Sequence, residues 1–223
     1  MNTNKPIIKT LATLALLALA TIPVTVSAII LGSKHDFSAK SPSWGSTETC
    51  IYCHTPHRAT ASANGPLWNR AASTATTYAL YTNTSGQLQA VPGQPGPTSK
   101  SCLSCHDGTV APDSYGTPAR VSTFGMLTGN LVIAPVTAGS GDLSNDHPIA
   151  FAYNAAVVAL DPELRTPIST TAVTAALPLF ASGALISQME CSTCHDGHGG
   201  VAGTKLLRLS NTGSALCTAC HIK

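Results

Sequence analysis

Apolar positions cluster at one end of the chain and thin out over the rest. Lys5 and Lys9 precede an apolar run over 11–20, and Val26-Ser27-Ala28 follows it. A positively charged start, a short apolar stretch and small residues at a cut site predict a secretory leader over 1–28, removed after Ala28. The run is too short for a membrane span, and no cysteine lies at the cut to carry a lipid anchor. Beyond the leader the pattern predicts little regular structure. Residues 59–101 are rich in Ala, Ser and Thr and close on Ala90-Val-Pro-Gly-Gln-Pro-Gly-Pro-Thr98, a density of Pro and Gly that excludes a long element. One short helix is predicted near 71–80. Residues 109–146 read as loop, with a short strand over 130–134. The most apolar stretch after the leader, 172–187, is interrupted by Pro178 and Gly183 and reads as a packing surface, not as a membrane span. The fold class that follows is mostly irregular chain with short helices and few or no strands, well below ordinary globular content.

Candidate chemistry sits in the cysteines. All eight fall in four copies of one pattern: Cys50-Ile-Tyr-Cys53-His54, Cys102-Leu-Ser-Cys105-His106, Cys191-Ser-Thr-Cys194-His195 and Cys217-Thr-Ala-Cys220-His221. Two cysteines three apart followed at once by histidine form the attachment signature of a c-type haem. Both thiols add to the porphyrin vinyl groups, and the imidazole is then placed under the iron. A single CxxC also suits half a zinc site or a redox dithiol. A zinc ribbon needs two such pairs facing one ion and no histidine after each. With 8 histidines in 223 residues, chance does not put one behind every pair. Export agrees with this assignment, and without haem the same thiols in an oxidising compartment would form disulfides.

Four histidines remain outside the motifs: His35, His57, His147 and His198. Four irons each need one more axial ligand, so the tally predicts bis-histidine iron at every site. Methionine is the usual competitor, but once Met1 leaves with the leader only Met126 and Met189 are left for four irons. His35 lies near the start of the mature chain, where a bond to iron would tie down an otherwise mobile terminus. His57 and His198 each follow a motif histidine by three residues, which on a helical turn puts both imidazoles on roughly one side. Both cannot serve one iron from there, so CxxCHxxH is read as gripping two neighbouring haems. His147 is held extended by Pro148.

The same inventory reads as a diverged duplication within a single domain over 29–223. A half at about 29–108 holds His35, CxxCHxxH and CxxCH; a half at about 145–223 holds His147, CxxCHxxH and CxxCH; 109–144 links them. Aromatic residues are 5% and charged residues 10%, which suits a polypeptide wrapped around a stack of four haem c groups that supply its large apolar surfaces. Loss of the leader removes Lys5 and Lys9 and no acid from a chain with 12 Lys+Arg and 10 Asp+Glu, leaving it near neutral. Two propionates per haem would make it acidic, and there is no basic run, so nucleic acid is excluded as a partner.

The strings CIYCHTPH, CLSCHDGTVAPDSY, NDHPIAFAYN and CSTCHDGHGG resemble the doubled-CxxCH multihaem cytochromes. The layout is similar to that of the four-haem outer-surface cytochromes of metal-respiring bacteria, which polymerise into extracellular filaments. That resemblance implies a continuous haem stack and head-to-tail association of copies, with an N-terminal histidine, here His35, ligating a haem of the neighbouring subunit. It also implies other multihaem cytochromes and extracellular electron acceptors as partners, and a place on the outer surface of the cell. Bis-histidine iron has no open position for substrate, so the expectation is an electron carrier and not an enzyme. Two alternatives stand beside it: a discrete periplasmic tetrahaem shuttle with His35 bound in its own chain, and a multihaem oxyanion reductase, which would need a five-coordinate haem.

Overall fold

Irregular chain dominates, but strands are more numerous than the residue pattern suggests. The computed structural model describes residues 30–40, 43–59, 67–82 and 88–222, so the predicted leader lies outside the described residues. Four short α-helices occur among them: α1 (Pro97–His106), α2 (Ala155–Leu160), α3 (Cys191–Cys194) and α4 (Ala215–Thr218). Seven strands replace the expected few or none: β1 (Thr77–Ala79), β2 (Ser140–Asp142), β3 (Phe151–Ala152), β4 (Ala172–Thr174), β5 (Leu177–Pro178), β6 (Phe180–Ser182) and β7 (Leu185–Met189). β1 pairs with β2 in parallel, β4 with β5 antiparallel, and β3, β7 and β6 form an antiparallel sheet with β7 in the middle.

Each departure has a physical cause. In place of the helix expected over 71–80 the chain forms strand β1, because the segment bonds to distant chain that a helix would leave out of reach. Thr76 N–H and the Thr76 hydroxyl both donate to Gly139 O, at 2.8 and 3.1 Å, and Tyr78 N–H donates to the Gln94 side chain at 2.8 Å. The strand expected over 130–134 is a 3-10 turn at Gly129–Leu131, after which Ile133 N–H and Ala134 N–H both donate to the carbonyl of His106 at the end of α1. The apolar stretch 172–187 does pack, but as two hairpins. Val173, Leu177 and Leu179 turn inward at strand spacing, and Gly183 adopts φ +60 in the β6–β7 turn. The expected stop of α1 is present: Asp107 caps it and Gly108 leaves at φ +80.

There is no continuous core among the described residues. Ala90, Phe151, Tyr153, Val173, Leu177, Leu179 and Met189 form one cluster, with Cys220 at its edge. Tyr78, Leu103, Ala134 and Leu143 form a second around the middle of α1. Trp44, Tyr52 and Tyr115 form a third, against Phe37 and Cys53. Each small cluster therefore backs onto one CxxCH motif.

Candidate functional site

The four CxxCH strings share one turn. His54 N–H donates to Cys50 O at 2.8 Å, His195 N–H to Cys191 O at 3.0 Å and His221 N–H to Cys217 O at 2.9 Å, and the remaining copy lies within α1. Positions i, i+3 and i+4 of a helical turn share a face, so both thiols and the imidazole of each motif are gathered on one side. None of the eight cysteines is in a disulfide.

Three motifs are held in that turn by the same latch, which the sequence reading missed. A short extended segment crosses the motif and exchanges two backbone bonds with it. Thr55 N–H donates to Leu67 O and Asn69 N–H to Cys53 O; Asp196 N–H donates to Leu206 O and Arg208 N–H to Cys194 O; Ile222 N–H donates to Glu163 O and Arg165 N–H to Cys220 O. The residue after the crossing point then sends its side chain to the carbonyl of the first residue between the cysteines. Asn69 reaches Ile51 O at 2.5 Å, Arg208 reaches Ser192 O at 2.7 Å and Arg165 reaches Thr218 O at 2.8 Å. The repeated Leu-Arg at 164–165 and 207–208 was the available signal.

The histidines are brought together in mixed pairs. The rings of His54 and His198 lie with centroids 5.9 Å apart and planes at 10°. His35 lies 6.2 Å from His106, and His147 lies 6.5 Å from His221. Every pair joins one motif histidine to one outside the motifs. Among the described residues His57 and His195 stand in no ring pair. The structured turn at Thr49–Tyr52 ends before His54, so His57 is not carried on a shared helical face and its side chain is exposed.

The ring nitrogens are poised as ligands. Nδ1 of His106 lies 2.7 Å from Leu131 O, Nδ1 of His195 2.9 Å from Lys205 O, and Nδ1 of His147 2.9 Å from Pro148 O. A carbonyl only accepts, so Nδ1 carries the proton and Nε2 keeps its lone pair for a metal. Asp196 accepts Arg208 at 3.0 Å and faces Nδ1 of His198 at 3.7 Å. Burial pulls His35 down to about 4, with His106, Arg70 and His195 adding to the fall, so its imidazole is neutral at ordinary pH.

The thiols run in file. Burial pushes Cys53 up to about 11; Arg70 opposes that rise and Cys105 adds to it. Cys102 and Cys191 share a hydrogen bond that raises the first and lowers the second. Burial raises Cys194 and Cys220, with Cys217 acting on both and Cys194 on Cys220. Neighbouring thiols thus link the motifs in chain order, first to second to third to fourth.

These residues fit haem. Two imidazoles bound trans to one metal through bonds of about 2 Å have ring centroids roughly 6 Å apart, the spacing of all three pairs. Trp68 lies edge-on to His54 with centroids 5.7 Å apart, and its buried indole N–H has no hydrogen-bond partner. Buried tryptophan normally bonds its N–H, so this is a donor available to a bound carboxylate. Exposed Ile51, Leu67, Leu131 and Ile133 border the first two motifs and suit an apolar macrocycle.

Comparison with known families agrees. A family model described as the doubled CXXCH motif matches residues 184–223, the span of the third and fourth motifs. No curated protein matches the chain. The match supports haem c binding and electron transfer by a multihaem c-type cytochrome. No helix among the described residues is long and apolar enough to cross a membrane.

Proposed function

We propose that the chain binds four haem c groups with bis-histidine iron and carries electrons along them as the subunit of an extracellular filament. The observation that carries the reading is the pairing of motif with non-motif histidines at metal-bridging distance. Cys50 and Cys53 would attach one haem, with His54 and His198 available to its iron. Cys102 and Cys105 would attach another, with His106 and His35 available. Cys217 and Cys220 would attach a third, with His221 and His147 available. Cys191 and Cys194 would attach the fourth, with His195 as its motif histidine. Bound haem supplies one-electron exchange at its iron. The polypeptide's part is to latch each motif, fix the imidazole tautomers and keep the groups in file.

Six histidines are accounted for by in-chain pairs, and His57 and His195 are left. In the filament the neighbouring copy's His57 completes the His195 site. That is a head-to-tail contact, and such contacts propagate when they do not close. His35 then serves its own chain, beside His106, in place of the inter-subunit role implied by resemblance. The in-chain position of His35 also favours a second reading, a discrete tetrahaem shuttle with His57 and His195 meeting within one chain.

Electron microscopy and low-temperature electron paramagnetic resonance of the haem-loaded protein separate these readings, with intact mass giving the haem count. Filaments that vanish in His57→Ala but persist in His35→Ala support the assembly. Uniform small particles with four low-spin haems make the protein a shuttle. Small particles with one high-spin haem in four leave the His195 iron open and revive the oxyanion reductase.

A further inference from the structure

Arg70 is one of the most deeply buried side chains, 2% exposed, and it stands between the first two motifs. Its Nη1 donates to Tyr52 O at 2.8 Å, inside the first motif, and to Pro112 O at 2.9 Å; Nη2 donates to Ala111 O at 2.6 Å, in the chain leaving the second. Asn69 beside it carries the latch of the first motif. The guanidinium is thus fixed by backbone on both sides, at the shared edge of two cofactor sites, in a place where water screens little.

We propose that Arg70 is a positioning residue for redox potential, whose fixed positive charge raises the potentials of the Cys50–His54 and Cys102–His106 sites above those of the other two. The proposal rests on the four-haem reading above. Reduction adds one electron and lowers the charge of the site by one, so a nearby fixed cation favours the reduced form. Arginine stays protonated at any ordinary pH, which makes the bias permanent. With the motifs in file, this places the electron-accepting end of the array at the first two sites.

The test is spectroelectrochemical titration of haem-loaded Arg70→Met, Arg70→Gln and Arg70→Lys beside the unaltered protein, after intact mass and the low-spin spectrum have verified four bound haems. Both neutral variants are expected to move two of the four reduction steps downward by about tenfold in the ratio of reduced to oxidised form at fixed potential, which is 59 mV for a one-electron couple. Arg70→Lys is expected to keep those steps within about threefold while unfolding at lower denaturant. If Arg70→Met does not assemble, Arg70→Gln, which keeps a donor, decides. Unchanged potentials in a fully loaded neutral variant would overturn the proposal. So would an equal shift in Arg70→Lys, since the effect would then come from hydrogen-bond geometry and not from charge. Fewer than four haems in the unaltered protein would instead overturn the four-haem reading.

Discussion

Glu190 is the sharpest place to perturb the scaffold without touching a cofactor ligand. It is 2% exposed and sits immediately before Cys191, clamping α1 to α3 and so the second motif to the third. Its carboxylate accepts Gly96 N–H at 3.1 Å and the Ser99 hydroxyl, while Thr193 N–H donates to the Glu190 carbonyl at 2.9 Å and the Thr193 hydroxyl accepts Glu190 N–H at 3.0 Å. Ser99 Oγ in turn accepts Cys191 N–H at 3.0 Å. The approach is close enough that a Cβ on Gly96 would clash with the carboxylate. Glu190→Ala strands two buried donors, each worth about 1–2 kcal/mol. Relief of the carboxylate's own desolvation returns about 1–2 kcal/mol of that. The net loss should be about 1–2 kcal/mol, read as a fall in the denaturation midpoint of the loaded protein by its Soret band at unchanged slope. Glu190→Gln keeps one acceptor and should lose about half. Burial raises the Glu190 carboxyl above its ordinary value. A raised acid contributes stability below its unfolded value of about 4.3 and loses it as pH rises through the folded value, so the deficit of Glu190→Gln should shrink from acid toward neutral pH. A Glu190→Ala protein within about 0.5 kcal/mol of the original would refute the clamp.

The histidine pairs predict that His198→Ala and His147→Ala each convert one low-spin haem in four to high-spin, and that the double variant converts two, by electron paramagnetic resonance. Arg208→Ala should weaken the third motif twice over, by loss of its bond to Ser192 O and of its pairing with Asp196. The expected loss is about 1–3 kcal/mol, with faster amide exchange at residues 196 and 208, whereas Arg165→Ala should affect the fourth motif alone. Asp113, fully buried as a side chain, accepts from Arg120, Ser122, Thr123 and Phe124. Burial pushes its carboxyl up, but those bonds outweigh it and hold the value low. Its stabilisation is therefore present above the unfolded value of about 3.9 and lost as pH falls through the folded one. Exchange protection over 113–124 should collapse in acid, and Asp113→Asn should remove that pH dependence at a loss of about 2–4 kcal/mol.

What could be read from residues alone was what covalent attachment writes contiguously. The five-residue motifs fix which cysteines and histidines act together because a single turn gathers them. The partners of those histidines are set by chain folding across long separations. His54 meets His198 and His35 meets His106 through packing that no local string records. The strands were hidden because the hairpins over 172–189 are rich in Ala and interrupted by Pro178 and Gly183, which dilute the strand preference of Val173, Thr174, Phe180 and Ile186. Only the inward turn of Val173, Leu177 and Leu179 reveals them. Arg70 is a lone arginine with no motif around it, so its burial between two sites became visible only with the fold.

The three small clusters explain why the polypeptide takes this form. The Trp44 cluster and the Tyr78 cluster hold three and four buried residues, too few to offset the chain entropy of the loops they anchor. Each is instead placed behind a motif: Tyr52 between two cysteines of the first, Leu103 between two of the second, and the Phe151 cluster against Cys220 of the fourth. An apolar group attached through those thiols would complete each cluster. A scaffold divided in this way is cohesive only when all its motifs are filled. The latches then make physical sense. Backbone bonds at Asn69, Arg165 and Arg208 hold three motif turns in shape where side-chain packing cannot, and in the second motif the length of α1 does the same work.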